Sequence, residues 1–150
     1  MELTVFSDDY FMKEALKEAQ KAFDADEVPV GAVIVCDNRI IARTHNLTER
    51  LKDVTAHAEM QGITSAANFL NGKYLNECTL YVTLEPCTMC AGAIAWAQFK
   101  KLVFGASDTK RGFRLLNEHR ILHPKTEVKS GILAHECAEL VKVFFQKKRN

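Results

Sequence analysis

Four side chains in two short stretches have the types and spacing for joint chemistry: His57 and Glu59 in His57-Ala58-Glu59, and Cys87 and Cys90 in Pro86-Cys87-Thr88-Met89-Cys90. Zinc takes thiolate and imidazole ligands tetrahedrally, and a catalytic zinc keeps one of its four positions for water, so a hydrolytic site needs three protein ligands. His57, Cys87 and Cys90 supply three. Glu59 stands two residues from the histidine, close enough to serve the reacting water as a proton carrier without being a ligand. Glu85 is a rival carboxylate, but its place directly before Pro86 reads as structural.

The elements that must position these groups follow from hydrophobic patterning. Ser7 with Asp8 and Asp9 predicts a helix start, and Met12, Leu16, Ala19 and Phe23 then recur at helical spacing as a core stripe. Ala32 to Cys36 is an apolar run of strand length, and the turn signal Asp37-Asn38 predicts a returning strand over Arg39 to Arg43, with His45-Asn46 in the loop beyond. Thr55 or Asp53 is the expected cap of a helix that begins near His57 and runs through Met60, Ile63, Ala66, Ala67 and Leu70.

Cys78 to Leu84 reads as a central strand stopped by Glu85-Pro86. The proline suits a helix start, and cysteines at i and i+3 in a first turn share one face, where the helix dipole favours both thiolates. That helix continues through Ala93, Ile94 and Trp96 to a further strand over Lys101 to Ala106, which makes a parallel crossover. Ser107 to Pro124 is expected as a loop with at most a short helical piece around Leu115 to His119, and His119 and His123 lack the neighbours that would make them ligands. A short strand is expected within Thr126 to Leu133, interrupted near Gly131. The last helix should turn Cys137, Leu140, Val141 and Phe144 inward, with Phe145 beside them and Lys147-Lys148-Arg149 at its end.

The chain has 150 residues, which suits a single domain, and its apolar runs are far too short for a bilayer span. The start at Met1-Glu2-Leu3-Thr4 lacks a cationic lead into an apolar segment, so a cytoplasmic protein is expected. Two of five cysteines are explained by metal, leaving Cys36, Cys78 and Cys137 as thiols. A net charge of +1 conceals an asymmetry: residues 1–99 hold 8 Lys+Arg against 14 Asp+Glu, and residues 100–150 hold 12 against 5. The basic part suits phosphates if the fold gathers it on one face; its plain alternative is a solvated surface.

His57-Ala58-Glu59 with Pro86-Cys87-Thr88-Met89-Cys90 resembles the signature of the cytidine-deaminase-like superfamily of zinc nucleobase deaminases. Glu27 to Val33, His45-Asn46, Thr79 to Cys87, Cys90 to Ala93, Val103 to Ala106 and Gly131 to Leu133 are similar to its tRNA-editing branch. The resemblance implies a three-layer α/β/α sandwich with a central mixed sheet flanked by helices, one Zn2+ per subunit, a homodimer, and conversion of adenosine to inosine in a tRNA anticodon stem-loop. It further implies that Asn46 and backbone groups near Val28 and Ala58 hold the base. Asp108 and the terminus containing Phe145, Lys147, Lys148 and Arg149 would then meet the RNA. Between Thr109 and Pro124 the chain departs from the family, running quickly from Lys110-Arg111-Gly112-Phe113-Arg114 to Leu122-His123-Pro124.

Two other readings compete. A deaminase of a free base or nucleotide, of guanine, cytosine or cytidine type, would share the zinc site without needing the basic C-terminal part. A non-catalytic module with structural zinc would need a fourth protein ligand, and none stands at suitable spacing.

Overall fold

The computed structural model describes residues 6–116 and 121–149. Five strands form one mixed sheet in the order β2-β1-β3-β4-β5: β1 Gly31–Cys36, β2 Arg39–His45, β3 Cys78–Leu84, β4 Lys101–Ala106 and β5 Glu127–Ser130. β1 runs antiparallel to both β2 and β3, whereas β3, β4 and β5 are parallel. Alternate residues of the central strands serve opposite layers, as strand geometry requires. Ile34, Leu80, Val82 and Leu102 pack on one face against α3 (Ala58–Leu70) and α4 (Thr88–Ala97) through Ala66, Ala91 and Ile94. Val33, Tyr81 and Val103 pack on the other against α1 (Asp8–Asp24) and α5 (Ala134–Arg149) through Phe11, Met12, Ala15 and Cys137. The result is the three-layer α/β/α sandwich.

Local chemistry sets the element ends. Ser7 caps α1, its hydroxyl accepting from Tyr10 N at 3.1 Å. Asp37 and Asn38 both take positive φ, the type I′ geometry that lets a two-residue turn join β1 to β2. Gly31 is required by close approach, because a Cβ there would meet the backbone of Ala15 and Ala19 in α1. Asp8 anchors the opposite end of the sheet, accepting from Tyr81 Oη at 2.7 Å and Lys129 Nζ at 2.8 Å. Burial works to raise the Asp8 carboxyl, but those bonds and the Lys101 charge outweigh it and hold it below its ordinary value.

Four sequence expectations need correction. β2 extends to His45, which pairs with Gly31 and whose ring reaches Glu18 at 3.4 Å, so Asn46 alone begins the loop. Neither Thr55 nor Asp53 caps α3. The Asp53 carboxylate is spent on Thr55 N and Oγ1 in a local turn, and His57 itself is the N-cap. After Asn46 an additional helix, α2 (Thr48–Leu51), appears where only loop was expected, while the helical piece of the later loop is a 3₁₀ turn at Phe113–Leu115. The expected continuation to His119, and His119 itself, fall outside the described residues.

Candidate metal centre and active-site cavity

The first turns of α3 and α4 open at the same end of the sheet, beside the last residue of β3 and the approach to β1. His57 is the N-cap of α3 and Cys87 the N-cap of α4, both with extended backbone and neither using its side chain to cap. Pro86 therefore stands one residue ahead of the cap, and Cys90 lies in the first turn. Both side chains are left free to turn toward each other, and two helix N-termini supply positive potential that favours anionic sulfur.

His57 Nδ1 lies 3.7 Å from Cys87 Sγ and 3.4 Å from Cys90 Sγ, and the three donor atoms are all within 4.8 Å of one another. A tetrahedral zinc with Zn–S of about 2.3 Å and Zn–N of about 2.0 Å separates N from S by about 3.5 Å. The donor set therefore fits zinc in both spacing and chemistry. Hydrogen bonding from Cys90, against the cost of burial and with help from His57, draws the Cys87 thiol down to about 4. Hydrogen bonding to Cys87, then burial, pushes Cys90 up. A divalent metal held between the two sulfurs would favour both as thiolates and displace their protons. The bond to Cys87 holds the His57 imidazole above its ordinary value in spite of burial.

A cavity of about 230 Å³ opens over this triangle, lined by His57, Glu59 and Cys87; Cys90 is fully buried beneath. Glu59 is 4% exposed, and burial pushes its carboxyl up to about 7, since an apolar enclosure disfavours the anion. A carboxyl in that condition can take up or release a proton near neutrality.

Val28, Asn46, Ala58 and Asp108 all line the same cavity. Asn46 is buried and bridges its loop, donating from Nδ2 to Val28 O at 3.4 Å while Oδ1 accepts from Thr48 N at 3.3 Å. The Asp108 carboxylate accepts from Lys110 N and Arg111 N at 3.0 Å each, a turn that shapes the rim.

Two buried carboxylates fix the rims of this cavity, and sequence reasoning missed one and understated the other. Glu27, 1% exposed, accepts from Glu49 N at 3.0 Å and Arg50 N at 2.7 Å and so ties down the start of α2. Glu85 accepts from Asp108 N and Arg114 N at 3.0 Å each, with the Arg114 side chain at 3.4 Å. Gly112 is needed beneath it, because a Cβ there would meet the Glu85 carboxyl. The Glu-Pro before Cys87 was the signal available for Glu85; Glu27 closes the acidic run Asp24-Ala25-Asp26-Glu27, where its charge does not stand out.

The basic terminus does not act as one cluster. Arg149 and Phe145 line a hollow of about 540 Å³ with Asp108, Lys110, Arg111 and Lys142. Lys148 instead pairs with Asp26 at 2.6 Å and lies over the Phe144 ring, while Lys147 lies over Phe23 at 5.3 Å. Phe145 and Val28 also border a second hollow of about 630 Å³ on the α1 side, so Phe145, 40% exposed, forms the divide between the two.

The family described as MafB19-like deaminase matches residues 6–149. The chain is 48% identical over 147 residues to a tRNA-specific adenosine deaminase of Bacillus subtilis, covering 95% of this chain and 91% of the relative. It is 47% identical over 148 residues to one of Aquifex aeolicus, covering 95% and 96%. A solved structure from a study of A-to-I editing by tRNA:A34 deaminases superposes with a TM-score of 0.81 at 46% identity, covering 87% of this chain and 98% of that one. A guanine deaminase from Nitrosomonas europaea shares the fold, with a TM-score of 0.80 at 21% identity over 92% of this chain and 84% of that one.

Proposed function

Because the chain belongs to the MafB19-like deaminase family, among relatives named tRNA-specific adenosine deaminase, we propose that it hydrolyses adenosine to inosine at the anticodon wobble position of tRNA. The observation that carries this reading is the placement of Glu59 and the His57-Cys87-Cys90 triangle in one cavity with Asn46, in a chain so close to those relatives. His57, Cys87 and Cys90 would hold one zinc ion, which when bound supplies a Lewis acid and an activated water. Glu59 accepts a proton from the attacking water at a carboxylate oxygen and delivers it to the ring nitrogen; it then takes the proton of the newly added hydroxyl and passes it to the amine, so that the C–N bond breaks, ammonia leaves and inosine remains. Burial of Glu59 keeps bulk water from competing for these protons.

The base stacks into the small cavity with the Asn46 amide beside it and the backbone near Val28 and Ala58 at its edge. Asp108, Phe145 and Arg149 at the mouth meet the flanking nucleotides, and Phe145 offers a face on which a base stacks. The chain acts as one catalytic domain in the cytoplasm, where its substrate is found. It pairs as a homodimer: Trp96, 82% exposed, and Tyr74, 48% exposed, border an apolar hollow with Ile63 and Ala93 on the outer face of α3 and α4, which a second copy would cover.

Ammonia release from an anticodon stem-loop, assayed beside free adenosine, guanine and cytosine, tests the proposal. Release from the stem-loop alone is expected. Release from a free base with none from the stem-loop overturns it in favour of a small-substrate deaminase.

A further inference from the structure

Cys36, the last residue of β1, and Cys78, the first of β3, are register partners across an antiparallel pair, so their side chains stand on the same face of the sheet. Which kind of partner they are follows from the hydrogen bonds. A strand residue turns its N–H and C=O to the same side. Cys78 donates to Leu75 O at 3.0 Å, and its carbonyl accepts from Lys100 N at 3.0 Å, next to β4. Both groups therefore face away from β1, and Cys36 and Cys78 form a non-hydrogen-bonded pair. In such pairs the Cα atoms lie about 4.5 Å apart, inside the roughly 4.4–6.8 Å range that a disulfide spans. No other strand or helix separates the two side chains, since β1 and β3 are direct neighbours in the sheet.

Access is unequal. Cys78 is fully buried, whereas Cys36 is half-buried beside the exposed Asp37-Asn38 turn. Burial pushes the Cys78 thiol up to about 12, so Cys36 is the sulfur that meets a reagent first.

We propose that Cys36 and Cys78 form a reversible dithiol–disulfide site that small disulfides oxidise, stapling β1 to β3. The Cys36 thiolate attacks one sulfur of a low-molecular-weight disulfide, forming a mixed disulfide and releasing one thiol. The Cys78 sulfur then attacks the Cys36 sulfur, closing the protein disulfide and releasing the second thiol. Two protein thiols are oxidised, one small disulfide is reduced to two thiols, and the two protons leave with them. The staple sits at the end of β1 and β3 opposite the cavity, which lies at Val30 and Leu84, so it works on the scaffold and leaves the reactive groups where they are. This site depends on no part of the proposed reaction.

The test treats the full-length zinc-loaded protein with oxidised glutathione. Expected are a product lighter by two hydrogen atoms and, after trypsin, a linkage between peptides 22–39 and 74–100 that fragmentation assigns to Cys36 and Cys78. Closing a loop of about 40 residues should also raise Tm by roughly ten degrees, reversed by dithiothreitol. Cys36→Ser, at the half-buried partner, should fold as before and leave Cys78 unmodified under the same treatment. A stable glutathione adduct on Cys36 with Cys78 still reduced overturns the proposal, and so does linkage of Cys36 to Cys87 or Cys90, or an oxidised form no more stable than the reduced one.

Discussion

Replacing Glu85 tests whether a buried carboxylate, and not the metal, holds one rim of the cavity. In Glu85→Ala the N–H groups of Asp108 and Arg114 each lose an acceptor at 3.0 Å, and the Arg114 guanidinium loses contacts at 3.4 Å. A hydrogen bond to a charged acceptor contributes about 1.5–3 kcal/mol, so the two backbone bonds amount to roughly 3–6 kcal/mol. The Arg114 side chain is 36% exposed, and its pairing adds at most about 1 kcal/mol. Water entering from the cavity restores part of the loss, which leaves roughly 2–4 kcal/mol out of the ~5–15 that holds a typical domain together. Glu85→Gln keeps one acceptor but presents an amide donor to the other N–H, so it should cost about 1–3 kcal/mol. Urea unfolding of the zinc-loaded proteins reads these values, and metal analysis run alongside should find zinc retained in the glutamine variant. If both variants stay within about 0.5 kcal/mol of the parent, the carboxylate does not hold the rim. If Glu85→Gln is zinc-free, its role belongs to the metal centre and the reasoning fails in a different place.

Glu59→Gln should retain zinc and fold while losing deamination, whereas Cys87→Ala and Cys90→Ala should lose the metal, since two protein ligands hold zinc poorly; equal zinc content in all of them would discard the ligand set. Stem-loop affinity should fall steeply with salt, and Arg149→Gln should reduce the salt slope by about one phosphate contact, while Lys148→Gln changes it less because Lys148 already pairs with Asp26. An unchanged slope for Arg149→Gln would remove the terminus from the RNA interface. Because the folded-state value of Asp8 is lowered, its stabilising contribution is fully present above the ordinary value of 3.8 and is lost as pH falls through the folded value. Asp8→Asn should therefore be less stable than the parent at neutral pH, and the gap should close in strong acid; a gap independent of pH would exclude ionisation as its cause.

The grouping of His57, Cys87 and Cys90 into a triangle that could hold a metal was legible because its determinants are local: cysteines three apart at a helix start, and a histidine at another. The strands were legible for the same reason, down to the central place of Cys78–Leu84 and the limits of Lys101–Ala106. What escaped is pairing across long separations. Glu27 meets Arg50 across 23 residues, Glu85 meets Arg114 across 29, and Lys148 meets Asp26 across 122; no pattern within a sequence window encodes such contacts. The α3 cap was misplaced because Asp53 and Thr55 have capping chemistry but spend it on one another. Composition left open whether the C-terminal lysines gather on one face or lie on a solvated surface, and packing on Phe23 and Phe144 sends them different ways.

The convergence of two helix starts beneath the cavity separates what this chain inherits rigidly from what it can vary. His57 and Cys87 sit at the N-caps and Glu59 and Cys90 in the first turns of two helices backed by buried sheet, where a shift of one residue would unseat both. Asn46, Asp108, Phe145 and Arg149 sit on loops and a final helix outside that frame, held by contacts that single substitutions can loosen. If the proposed function holds, substitutions on those loops can retune which molecule enters without moving the side chains assigned to the chemistry, so descendants of this scaffold should diverge in diet before they diverge in reaction.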